Sequence, residues 1–171
     1  NALKQANEYQ IQEQGQLVTS TGMTINAVSA MGLDVAKGLR FVDPFYWDRD
    51  DASRSWSRRF MAGHKGVAPN YLQAGAYSAA MHYLKAVAAA NSDDGAAVVA
   101  KMKSTPVNDF QMKNVAIRDD GQVMRPGYVV QIKTPAESKG PFDFYKVGAE
   151  IPADEVWRPL DRYPLGETPG R

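Results

Sequence analysis

The sequence predicts an α/β fold, and three observations carry that prediction. Two short apolar segments, Gln16–Ser20 and Leu39–Asp43, each run into a loop and then into a helical pattern. A helix-like run longer than any other covers 69–90. After Pro106 the pattern changes to short strands around turn signals.

Taken in order, Ala2–Glu13 has helix-forming composition with Leu3, Ala6 and Tyr9 or Gln10 recurring at three to four residues, and Gly15 stops it. Gln16–Ser20 reads as a strand, and Ser20–Thr24 as a small hydroxyl-rich loop. Ile25, Val28 and Met31, with Gly32 after them, read as a brief helix and its C-cap. Leu39–Asp43 is a second strand closed by Pro44. It leads into the aromatic loop Phe45–Trp47 and then into Asp48, Asp50 and Asp51, acids suited to the positive end of a helix over 52–62. Gly63–Gly66 ends that helix.

Pro69 is placed as the first residue of the longest helix. Its apolar face is the stripe Leu72, Ala76, Ala79, Tyr83 and Val87, with Tyr77, Met81, Leu84 and Ala88 adjoining. A further helix over 94–103 is capped by Ser92 or Asp93 and stopped by Pro106. Asn114–Arg118 and Gln122–Arg125 flank Asp119–Gly121 as a hairpin. Tyr128–Lys133 and Phe142–Ile151 are strands, and the tail from Pro152 is irregular.

Composition narrows the function. The chain has 171 residues, 20 basic and 19 acidic side chains, and no cysteine. Neither half is strongly charged: residues 1–85 hold nine basic and seven acidic groups, the rest eleven and twelve. Bulk charge therefore gives no drive toward nucleic acid. The missing thiols exclude cysteine nucleophiles, zinc–thiolate centres and disulfides. Tyr77–Ala90, the longest mostly apolar run, carries His82 and Lys85 and is too short and polar to span a bilayer. The first residue is Asn1 and no signal-peptide pattern follows it, so a processed or truncated product is expected.

No motif frames catalysis. His64 and His82 stand outside any metal-ligand spacing. The acid pairs Asp50/Asp51, Asp93/Asp94 and Asp119/Asp120 fall at caps and turns. There is no dinucleotide fingerprint, P-loop or nucleophile elbow, and no cofactor or metal is implied. Two features stand out. Ser20–Thr24 and Phe45–Trp47 each lie just beyond a strand, where ligands bind in open α/β sheets. Hydroxyls and backbone N–H groups of the first suit an anion, and rings of the second suit an apolar body. The other reading of Phe45 and Trp47 is that they plug the core, and the sequence does not choose between the two.

The stretch Gly32–Asp48, with Trp56–Met61 and Gln73–Ala79, and later Ser138–Lys146 with Ile151–Glu155 and Arg158–Leu160, resembles the solute-binding proteins of ABC importers of the branched-chain amino-acid-binding type. The resemblance implies two α/β lobes with mainly parallel sheets flanked by helices, plus a C-terminal β-hairpin region. It implies no reaction. Such proteins close on a small molecule in the periplasm and pass it to an inner-membrane permease.

By that resemblance the chain is the C-terminal half. Residues 1–65 belong to the second lobe, 66–120 to the first, and 121–171 to recrossing strands and the tail, with the N-terminal half absent. Amino-acid binders of the family place an acid in the loop that looks like Ser20–Asn26, and this loop has none. The expected ligand is a small carboxylate, an aromatic acid or an amino acid. The missing acid argues against a plain amino acid, and the Phe45–Trp47 loop is similar to that of relatives that take up aromatic carboxylates. Thr21, Thr24 and Asn26 are the expected hydrogen-bond donors, and Phe45, Tyr46 and Trp47 the aromatic wall. Tyr71, Gln73 and Tyr77 face them from the long helix. A ligand-sensing receptor domain of the same fold is the alternative, and a homodimer that covers the exposed core face is expected.

Overall fold

The computed structural model describes residues 2–162. Contacts divide the chain into two compact units: residues up to Tyr77 with Tyr128–Glu150, and Ser78–Gly127 with the described residues from Ile151 onward.

In the first unit, α1 (Ala2–Glu8) is shorter than its composition predicts. Gln10 takes a left-handed φ of 54°, so Ile11 N–H reaches back to Ala6 O and Gln10 N–H to Asn7 O. This Schellman pattern stops the helix before Gly15 is reached. Gln16–Ser20 is not a full strand. It makes one parallel bridge, Thr19 to Arg40, with Arg40 N–H donating to Val18 O. α2 (Ile25–Met31) ends at Gly32, whose φ of 82° suits only glycine comfortably. A four-residue helix absent from the prediction, α3 (Leu33–Ala36), follows.

β1 (Arg40–Asp43) buries Phe41 and Asp43 and exposes Arg40 and Val42, the period-two pattern of a half-buried strand. It pairs antiparallel with β2 (Gly127–Ile132), Asp43 opposite Tyr128, and β2 lies between β1 and β3 (Tyr145–Ile151). The bridge of Thr19 to Arg40 is parallel, whereas the β1–β2 ladder beside it is antiparallel. Ile25, Val28, Ala36, Leu39, Phe41, Tyr46, Ala68, Val130, Ile132 and Tyr145 form the core.

α4 (Asp51–Gly63) is capped by Asp50, whose carboxylate accepts from Ser53 N–H at 2.7 Å. It buries Ser53, Trp56 and Ser57 and leaves Arg58 and Arg59 exposed. α5 (Tyr71–Ala90) begins two residues after Pro69, not at it. Its buried stripe is Ala74, Ser78, His82 and Ala86, while Leu72, Ala76, Ala79 and Tyr83 of the predicted face are exposed. The reason lies in the second unit, where Ser78 Oγ hydrogen-bonds the Asp109 carboxylate and His82 Nε2 pairs with Met102 O. Small side chains and satisfied polar groups can be buried as readily as aliphatic ones.

The second unit continues with α6 (Gly95–Ser104), capped by Asp94 and not by Ser92 or Asp93. Ser92 Oγ accepts from Asp94 N–H one step earlier. The predicted hairpin is reduced to one antiparallel bridge, Ile117 to Val123, closed by Gly121 N–H to Arg118 O. Val107, Met112 and Val115 form its small core. The tail is more regular than predicted: α7 (Ala153–Val156) follows Pro152, and a 3-10 turn covers Leu160–Arg162. The remainder of the tail lies outside the described residues.

Candidate ligand-binding site

Because the 16–20 segment and β1 run parallel, the Ser20–Thr24 and Pro44–Trp47 loops leave the same, carboxyl edge of the sheet. In the first loop Thr21 is exposed. Thr24 caps α2 with Oγ1 accepting from Ala27 N–H at 3.2 Å, which leaves its own hydroxyl proton to donate elsewhere. Asn26 is engaged at both ends of its amide. Nδ2 donates to Ala68 O at 3.1 Å, and Oδ1 accepts from Asn70 Nδ2 at 2.7 Å.

The second loop starts from a buried acid. Asp43 Oδ1 accepts from Phe45 N–H at 2.9 Å across Pro44, so the side chain fixes the turn that lifts the aromatics off the strand. Phe45 is 2% exposed, edge-on to Trp56 at 6.0 Å. The core role applies to Phe45, and its part in the wall is to anchor the loop.

Tyr46 is also buried, stacked on Tyr145 at 5.0 Å, and its hydroxyl lies 3.4 Å from both Phe142 O and Asp143 Oδ1. Burial, then the Asp143 and Asp48 carboxylates, push this phenol well above its usual range, so it keeps its proton and donates. Trp47 is half-buried and donates Nε1–H to Phe142 O at 2.8 Å. Of the three rings of the loop, that of Trp47 is the half-open one, Phe45 and Tyr46 being buried.

On the facing helix, Asn70 Oδ1 accepts from Leu72 N–H at 2.9 Å, and Gln73 Oε1 accepts from Asn70 N–H at 2.8 Å. This reciprocal capping box is why α5 starts at Tyr71. The Gln73 side chain is committed to it. Tyr71 is half-buried beside this cap, and Tyr77 packs edge-on to Trp56 at 5.3 Å.

Of the nine expected residues, Asn26 meets Gln73 through Asn70, Phe45 meets Tyr77 through Trp56, and Tyr46 and Trp47 meet the 142–143 segment. Thr24 caps the helix that carries Asn26, while Thr21 is exposed and Tyr71 half-buried. Asn70, Asp43 and Phe142–Asp143 are missing from the sequence-based set. The Asn-x-x-Gln capping spacing and the Asp-Pro turn were readable signals for the first two. Nothing local marks the third, which lies 95 residues from Trp47.

Acids near this edge are occupied. Asp48 and Asp51 pair with Arg54, and Asp50 pairs with Arg49. Burial works to raise the Asp50 carboxyl, but Ser53 N–H and Arg49 outweigh it and hold it below its usual range. Among the described residues no group of three or more His, Asp or Glu side chains could hold a metal. Two open grooves lie elsewhere: one of about 400 Å³ between Arg49, Tyr128 and Glu150, another of about 390 Å³ between His82, Lys85 and Lys101.

The sequence matches the family described as periplasmic binding protein over residues 1–141. The chain belongs to this family. Its fold matches a periplasmic binding protein from Burkholderia mallei, 42% identical, with a TM-score of 0.85 over 94% of this chain and 42% of the other. It also matches a branched-chain amino acid ABC transporter periplasmic ligand-binding protein from Burkholderia xenovorans, 35% identical, TM-score 0.87, over 94% of this chain and 43% of that one. A solute-binding protein of an ABC transporter from Rhodopseudomonas palustris, solved with 3,4-dihydroxybenzoic acid, is 18% identical at a TM-score of 0.70, over 88% and 41%. That likeness speaks to the fold alone. The chain thus spans about two-fifths of these structures' length. No curated protein matches it. Among the described residues no helix is long and apolar enough to cross a membrane.

Proposed function

We propose that the chain is the C-terminal share of a solute-binding protein that captures a small aromatic carboxylate in the periplasm and delivers it to an ABC permease, without chemistry on the ligand. The observation that carries this reading is the Thr19–Arg40 parallel bridge. It sets a hydroxyl-bearing loop and an aromatic loop on one carboxyl edge. Thr21 and Thr24 donate to the carboxylate, Trp47 packs on the ring, and Tyr71 stands beside them. Asn26, Phe45, Tyr46, Gln73 and Tyr77 hold these groups in place.

By this reading the unit up to Tyr77 with Tyr128–Glu150 belongs to the second lobe, and Ser78–Gly127 with the described residues from Ile151 onward to the first. The ligand class draws support from the acids, since Asp43 is 2% exposed and Asp48, Asp50 and Asp51 are ion-paired, leaving an ammonium group poorly served. No observation among the described residues supports a homodimer, and it is not part of this proposal.

Thermal shift of the full chain against benzoates, hydroxycinnamates and branched-chain amino acids tests the reading. Stabilisation by the aromatic acids is the expected outcome. Stabilisation by leucine-like ligands alone would overturn the ligand class.

A further inference from the structure

The Ser138–Lys146 motif meets the aromatic loop through Phe142 and Asp143, at the buried Tyr46 and the half-buried Trp47. Phe142 has a φ of 61°, a left-handed conformation that a bulky side chain adopts only when its surroundings impose it. Its carbonyl receives the Trp47 indole N–H at 2.8 Å, and the Tyr46 hydroxyl lies 3.4 Å away.

Asp143, next in sequence, holds the segment in this shape. One carboxylate oxygen takes Lys133 Nζ and faces Tyr46 Oη, while the other accepts Lys139 N–H at 2.9 Å. Lys133 N–H donates to Phe144 O at 2.8 Å and ties the segment to the end of β2.

We propose that residues 140–144 are the positioning element of the ligand wall, with Asp143 setting the Phe142 carbonyl that orients the Trp47 indole. The consequence for specificity is direct. The side-chain donor of Trp47 is spent inside the protein, so its side chain offers a ligand a ring and nothing polar. The acceptor group of the ligand must then be met by the Thr21–Thr24 loop. This rests on the function proposed above, but its central contact can be tested without any ligand.

The test is hydrogen exchange of the indole N–H signals of Trp47 and Trp157 in the full chain, assigned with Trp47→Phe. Trp157 is the internal control, because its indole donates to Arg125 O at 2.9 Å in the other unit. Asp143→Ala is expected to speed Trp47 exchange by about tenfold, the scale of one hydrogen bond, and to leave Trp157 unchanged. Phe142→Gly keeps the carbonyl and suits the left-handed φ, so it leaves Trp47 protected. No change at Trp47, or an equal rise at both indoles, would overturn the proposal. If Asp143→Ala does not fold, Asp143→Asn is read by the same two outcomes.

Titration with benzoate then separates the two claims. Weaker benzoate binding in Asp143→Ala at unchanged Trp157 protection extends the positioning role to the ligand. Absence of benzoate binding in the unsubstituted chain counts against the proposed ligand class, and the indole measurement still decides the positioning.

Discussion

The two loops at the carboxyl edge of the sheet carry the same kind of sequence signal and meet different fates. Ser20–Thr24 stays largely at the surface, tied down by the cap at Thr24 and by Met23 against the core. Pro44–Trp47 is drawn inward: Phe45 is sealed against Trp56, Tyr46 is stacked on Tyr145, and Trp47 is pinned through its indole N–H. Small polar side chains lose little by remaining hydrated, whereas each aromatic gains by burying large apolar area. Of three adjacent aromatics, Trp47 is the one that stays half open.

Substitutions can break or sharpen this contrast. The largest effect is expected from Phe45→Ala, which empties a fully buried position and should destabilise the chain by about 3–5 kcal/mol in urea denaturation. A loss near 1 kcal/mol would mean that the aromatic loop is as loosely held as its neighbour. Next is Asn70→Ala, which removes the α5 cap and takes from Asn26 Oδ1 its donor. About 1–3 kcal/mol is expected, with Asn26→Ala falling in the same range because the two amides share one bond. Thr24→Ala should cost about 1 kcal/mol and Thr24→Ser close to nothing, since serine caps equally well.

A pH titration probes the clasp on the aromatic side alone. For Asp143, burial opposes ionisation, but Lys133 and Lys139 N–H prevail and hold the carboxyl below its usual range. Glu137 in the same segment is drawn down to about 2 by Lys146 and Thr134. Groups depressed in the folded state stabilise it above their ordinary pKa, and that contribution fades as pH falls through the folded values. Trp47 indole protection should therefore be constant down to about pH 4 and decline toward pH 2. Decline already at pH 6 would point to a different group. The smallest effect is expected for Thr21→Ala, within about 0.5 kcal/mol of the original stability, with weaker binding of aromatic acids as its signature.

Much of the framework was legible. Helices 25–31, 51–63 and 95–104 and strands 40–43, 127–132 and 145–151 follow from caps, punctuating glycines and prolines, and apolar alternation in the sequence. Misreadings share one cause. The Gln10 Schellman turn, the single-bridge segment at 16–20 and the one-bridge hairpin at 117–123 turn on which backbone partner is near, and local propensity does not encode that. On α5 apolar periodicity does not map burial, because Ser78 and His82 find partners at Asp109 and Met102 and turn their own face inward.

The sequence by itself determined that the chain is α/β and which two loops follow which strands, because caps, turns and alternation act over a few residues. Tertiary structure alone decided which residues of those loops remain open. That outcome depends on contacts between positions as far apart as Trp47 and Phe142, and burial of one ring there is what leaves the next exposed.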